Sequence, residues 1–181
     1  FIQPVFTTLM YLLVFNRIAK IPTDQLPAPV FYMSSIAIWN FFTACLNSTS
    51  ATFTANAGIF GKVYFPRLIS PIATVLSSMI KFSIQFAMLI AVALYFSLTS
   101  DFHLQFGWNM ALFPLIIFVT AMTGLGGGII ISSLTTKYRD LNILIGFGIS
   151  LLMYVTPVIY PLSFLEQSPY RVIIQWNPLS S

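Results

Sequence analysis

Four carboxylates, Asp24, Asp101, Asp140 and Glu166, one histidine, His103, and one cysteine, Cys45, are the groups in this 181-residue chain with which acid–base, nucleophilic or metal chemistry would have to be done. Their spacing supports none of it. Asp101 and His103 have many serines as possible partners, yet no arrangement marks a nucleophilic triad. His103 and Cys45 lie far apart, with no pair of cysteines and no histidines four residues apart to hold a metal, so His103 reads as a solvated loop residue. The run "GLGGG", Gly124 to Gly128, is not a phosphate loop, because no Lys-Ser or Lys-Thr follows to meet a nucleotide; Gly61-Lys62 fails for the same reason, being followed by Val63. Gly124 and Gly128 fit a small-xxx-small helix contact, with local helix flexibility the other reading.

The elements that carry these residues are set by composition. Hydrophobic residues make up 57% of the chain and charged residues 7%, against roughly 25% charged in an ordinary soluble domain. Such a surface is solvated by lipid, so the chain is expected to be a membrane protein. Uncharged runs from Val30 to Gly61, Phe82 to Ser100 and Leu141 to Leu165 approach or exceed the ~20 residues that carry an α-helix across ~30 Å of hydrocarbon. They are too long and too little alternating for barrel strands. The expected fold is all-α, a polytopic transmembrane helix bundle in a single domain over 1–181, with spans at about 1–16, 30–54, 71–98, 109–135 and 142–160. Pro22, Pro27 and Pro29 mark "NRIAKIPTDQLPAP", residues 16–29, as a loop. The opening at Phe1, mid-pattern and without a signal-like start, and the ending in "WNPLSS" lead to the expectation of a truncated chain.

Alternating crossings put the loops near 61–70 and 137–141 on one side with Lys62, Arg67, Lys81, Lys137 and Arg139, leaving Arg17, Lys20 and Arg171 opposite; the richer side is expected in the cytoplasm. The net charge of +4 suits basic loops at an anionic membrane surface, and no face carries enough Lys and Arg to track nucleic acid. Pro157, Pro161, Pro169 and Pro178, among Tyr154, Tyr160, Phe164, Tyr170 and Trp176, predict short broken helices at the outer face, dipping back into the membrane.

Ion-coupled carriers need an ionisable group held in the bilayer, and all four carboxylates fall in predicted loops or at span ends. Lys81, about ten residues into the third run, is either a lysine snorkelling to the cytoplasmic surface or a contact for a substrate phosphate. Ser34, Ser35, Thr43, Ser48, Thr49, Ser50, Thr52 and Thr54 make the second span rich in hydroxyls, which either bond within and between helices or form a polar translocation wall.

"GKVYFPRLISP", "TKYRDLN", "TPVIYP" and "NPLS" occur in that order, separated by spans. Together they resemble the type-2 ABC exporter permeases for polysaccharides and polyol phosphates (O-antigen, capsule, teichoic acid) along essentially all of Phe1 to Ser181. The resemblance implies a six-span permease of the bacterial inner membrane, preceded by an amphipathic cytoplasmic helix and working as a homodimer with two copies of a separate ABC ATPase; on that comparison 1–181 is expected to be a truncated chain without the amphipathic helix and last span. It implies that Gly61 to Ser70 forms a cytoplasmic coupling helix, with Lys62, Tyr64, Phe65, Pro66 and Arg67 meeting the ATPase, and that Lys137 to Leu141, with Tyr138, Arg139 and Asp140, is the second cytoplasmic loop. Bases at the surface, aromatics to insert into a groove and a proline to turn the chain suit such a helix, although ordinary positive-inside anchors would also place Lys62 and Arg67 there; Arg139 and Asp140 could equally pair to cap helix ends. Thr156, Pro157, Tyr160, Pro161, Asn177 and Pro178 fall on the family's outer gate helices, here 161–178 and the residues just before them. The implied function is outward movement of a lipid-linked polysaccharide or teichoic-type polymer, with no cofactor and no catalysis in this chain, ATP and Mg being held by the partner. A drug or small-lipid exporter of the same superfamily and an ATP-independent channel are the alternatives.

Overall fold

The structure, a computed structural model, describes residues 27–56, 66, 68–99, 112–138 and 141–156, together with Phe6, Leu9, Met10, Leu13 and Gly58. Four helices organise them: α1, Ala28–Ala55; α2, Ile69–Thr99; α3, Phe113–Lys137; and α4, Leu141–Val155. No strand occurs among the described residues. Each of the first three helices carries a proline in its opening turn, Pro29, Pro71 and Pro114. At that position the missing N–H is one of the donors the helix leaves unpaired in any case, and the fixed φ suits the helix. This corrects the placing of Pro29 in the preceding loop: Pro27 is the residue outside, and its carbonyl accepts from the N–H groups of Val30 and Phe31 at 2.9 and 3.1 Å. It also explains why the helix expected from 109 begins at Phe113, one residue before Pro114.

The helices α1, α2 and α3 are long and apolar enough to cross a membrane. At 28, 31 and 25 residues they run about 42, 46 and 38 Å, against ~30 Å of hydrocarbon. The outer faces of α2 and α3 carry exposed large apolar side chains, among them Ile80, Leu94, Phe118 and Ile130. In water such faces would be a liability, and in lipid they are solvated. Helix α4 has 15 residues, about 22 Å, so the described part of the expected 142–160 span is shorter than a crossing. Of the expected 1–16 span, Phe6, Leu9 and Met10 are helical; with Leu13 they share the spacing of one helical face, and all four are exposed.

The chain forms two compact units, one of 1–39, 83–107 and 151–181 and the other of 40–82 and 108–150. In the first, Tyr32, Met33, Ile36, Ala37 and Trp39 are buried along the opening half of α1, and Phe31 meets the Tyr32 ring edge-on at 5.3 Å. In the second, contacts fix the directions of three helices. Gly124 abuts Cys45 and Gly128 abuts Thr49, so residue numbers rise together and α1 and α3 run parallel. Phe41 packs on Phe82 with ring centroids 4.9 Å apart, and Cys45 lies beside Ser78; numbers rise in one helix as they fall in the other, so α2 runs antiparallel to α1. Stacking of Phe82 on Phe113 at 6.5 Å places the start of α3 accordingly. The end of α1, the start of α2 and the end of α3 therefore lie at one end of this unit.

Candidate functional site

That common end gathers the two short segments read as cytoplasmic tips. At the first, Pro66 is exposed and its carbonyl accepts from the Ile69 N–H at 3.1 Å, while the Leu68 carbonyl accepts from the Ile72 N–H at 3.2 Å. The chain enters α2 at once, because a tight turn on Pro66 satisfies the first free helix donor and Pro71 needs none. Leu68, Ile69 and Ile72 are all exposed beside this turn, an apolar cluster where loops are ordinarily polar. Lys62, Tyr64, Phe65 and Arg67 lie outside the described residues.

At the second tip, α3 stops because Tyr138 turns extended, at φ −126° and ψ 94°, while its N–H still donates to the Leu134 carbonyl at 2.9 Å. The Tyr138 carbonyl then accepts from the Leu141 N–H at 3.2 Å, and α4 begins. A connection this short holds the ends of α3 and α4 together and leaves Tyr138 exposed at the tip. Arg139 and Asp140 lie outside the described residues. The two tips belong to the same compact unit.

Helix α3 reaches α1 through its glycines. A Cβ added to Gly124 would stand 2.8 Å from Cys45 Cβ, and one added to Gly128 would stand 2.5 Å from Thr49 Cβ and 2.9 Å from the Leu46 carbonyl oxygen. Gly126, on another face, would meet nothing within 4 Å. Gly124 and Gly128 therefore let two backbones approach, as the small-xxx-small spacing suggested. Ser132 continues the row one turn later; its hydroxyl and that of Thr49 are fully buried and have no hydrogen-bond partner among the described residues.

The hydroxyls of α1 mostly turn inward on their own helix. Ser34 and Ser35 donate to the Phe31 carbonyl, Thr43 to Asn40, Ser50 to Asn47 and Thr52 to Ser48, over 2.6 to 3.2 Å. Such back-bonding keeps a hydroxyl satisfied in lipid, so for these five residues internal bonding accounts for the pattern without a translocation wall. Lys81 is exposed on α2, in line with Ser77, Thr74 and Ser70 at helical spacing; the spacing is visible in the sequence, but the side of α2 on which the row lies is not. At the far end of α4, Thr156 is buried and its N–H donates to the Leu152 carbonyl at 2.9 Å; the helix ends here because Pro157 follows in sequence and disfavours helix in the residue before it. Pro157, Tyr160, Pro161, Asn177 and Pro178 lie outside the described residues. Among the described residues no group of three or more His, Cys, Asp or Glu could hold a metal.

The family described as ABC-2 type transporter matches residues 1–181, the whole chain. The chain belongs to the ABC-2 type transporter family. Relatives are similar over nearly its full length. An O-antigen export system permease protein RfbA from Klebsiella pneumoniae is 27% identical over 180 residues, covering 99% of this chain and 66% of the relative. A second from the same species is 26% identical with the same coverage. One from Myxococcus xanthus is 21% identical over 183 residues, covering 100% of this chain and 67% of the relative. The chain thus spans about two thirds of the length of these curated relatives. As an ABC-2 chain with several apolar helices it is a multi-pass membrane protein.

Proposed function

We propose that this chain is the membrane core of a permease subunit that moves a lipid-linked polysaccharide or teichoic-type polymer outward across the bacterial inner membrane. The observation that carries the reading is similarity over the whole chain to permeases of O-antigen export. The subunit works as a homodimer, with ATP and Mg held by two copies of a separate ATPase. Lys62, Tyr64, Phe65, Pro66 and Arg67 form the coupling segment, and Tyr138, Arg139 and Asp140 a second contact beside it. The placing of the start of α2 and the end of α3 at one end of a compact unit supports this division of labour, since one docked subunit can then press on α2 and on the α3–α4 connection together. ATP-driven closure of the partner would displace these helices as packed bodies. Thr156, Pro157, Tyr160 and Pro161, with Asn177 and Pro178, form the outer gate in this reading.

Charge reversal at the coupling segment is the test. Arg67→Glu is expected to reduce both recovery of the ATPase with the purified permease and polymer export by at least about tenfold, because like charges brought together at an interface are strongly unfavourable. Membrane insertion should be unchanged. Normal ATPase recovery with normal export would remove the coupling assignment.

A further inference from the structure

Three parallel rows run along the first turns of α2, each at intervals of four, three and four residues. Pro71, Val75, Ser78 and Phe82 form the buried row, packed within the unit. Ile69, Ala73, Leu76 and Ile80 form an exposed apolar row. Between them lie Ser70, Thr74, Ser77 and Lys81, a polar strip one residue wide, half-buried at Ser70 and Thr74 and exposed at Ser77 and Lys81.

Depth decides what this strip can meet. Lys81 is twelve residues beyond Ile69, about 18 Å along the helix axis. With the 31-residue helix centred in ~30 Å of hydrocarbon, its Cα sits about 10 Å inside the boundary. Helical side chains lean toward the helix N-terminus, so the lysine stem lies over the turn that carries Ser77 and brings its ammonium toward the headgroup boundary. Thr74 already donates to the Pro71 carbonyl at 2.8 Å, which leaves Ser77 as the exposed hydroxyl of the strip. A cation with a hydroxyl donor one turn below it, in a lane kept open by small side chains, matches a phosphate or phosphodiester at the membrane boundary. A lysine that only anchors the helix requires no such lane.

We infer that Ser77 and Lys81 form a phosphate-recognition point on α2 for the phosphate of a membrane-anchored lipid. The inference deepens the export reading, since a polymer carried on a lipid pyrophosphate would present this group at this depth. The same chemistry is offered by bulk anionic phospholipid, and the test separates the two sources.

The full-length permease with its ATPase, in nanodiscs of phosphatidylcholine, is titrated with a fluorescent polyprenyl pyrophosphate. Lys81→Gln should weaken binding by about tenfold, the worth of one charge-assisted hydrogen bond, and Lys81→Arg should retain it. Ser77→Ala should weaken it by a smaller factor. If phosphatidylglycerol displaces the probe as effectively as unlabelled polyprenyl pyrophosphate, the point is confirmed as a general phospholipid site; if it does not, the carrier lipid is its source. Equal probe binding by wild type and Lys81→Gln, with the ATPase recovered normally, overturns the inference while leaving the export reading intact. Loss of ATPase recovery in the wild-type preparation would instead count against that reading.

Discussion

At the scale of single residues, one glycine in "GLGGG" matters more than its neighbours. A methyl at Gly128 collides with Thr49 Cβ and with the Leu46 carbonyl oxygen, neither of which is the free end of a flexible chain. Gly128→Ala should therefore force α1 and α3 apart and destabilise the protein by about 1–3 kcal/mol, whereas Gly126→Ala, which meets nothing within 4 Å, should be neutral or slightly stabilising through helix propensity. Melting temperatures of the purified variants check the contrast; equal losses at both positions would remove the seam. The spacing of Gly124 and Gly128 made a helix contact legible in the sequence, but its partner was not, because Cys45 and Thr49 stand among many other small and polar residues of α1. Lys81 shows the opposite case: its oddity was plain from the sequence, and its setting needed the burial of Ser78 and Phe82 to tell one side of α2 from the other.

At the scale of elements, the prolines set the helix starts and lipid sets their outer faces. Existence and order of α1, α2 and α3 were legible because uncharged runs longer than a membrane crossing have few alternatives. Their ends were less so, since proline both breaks a helix and opens one, and Pro29 opens α1. Helix α2 makes the outer-face argument testable. Ile84 is at its midpoint and exposed, so Ile84→Arg should cost about 2.5–3.5 kcal/mol of insertion free energy, read as a fall in the membrane-integrated fraction in a translocon insertion assay. Full integration of that variant would mean that position 84 faces water rather than lipid.

At the scale of the whole molecule, the tips carry the functional interpretation. Their common end follows from contacts alone: α1 and α3 run parallel through Cys45–Gly124 and Thr49–Gly128, and α2 runs against α1 through Phe41–Phe82 and Cys45–Ser78. The basic residues around them suggested the same grouping in the sequence, by counting crossings and charges. What the sequence could not supply was the register that brings the start of α2 level with the end of α3, because that depends on which small residues meet. Placing this end in the cytoplasm is the step on which the proposed ATP-driven export depends. Single cysteines at positions 66 and 138, in a chain whose buried Cys45 is replaced by Ala, can be labelled with an impermeant thiol reagent in sealed right-side-out and inverted vesicles. Labelling of both only in inverted vesicles is expected, and labelling of the two from opposite faces, or of both from outside, would contradict a shared cytoplasmic docking end.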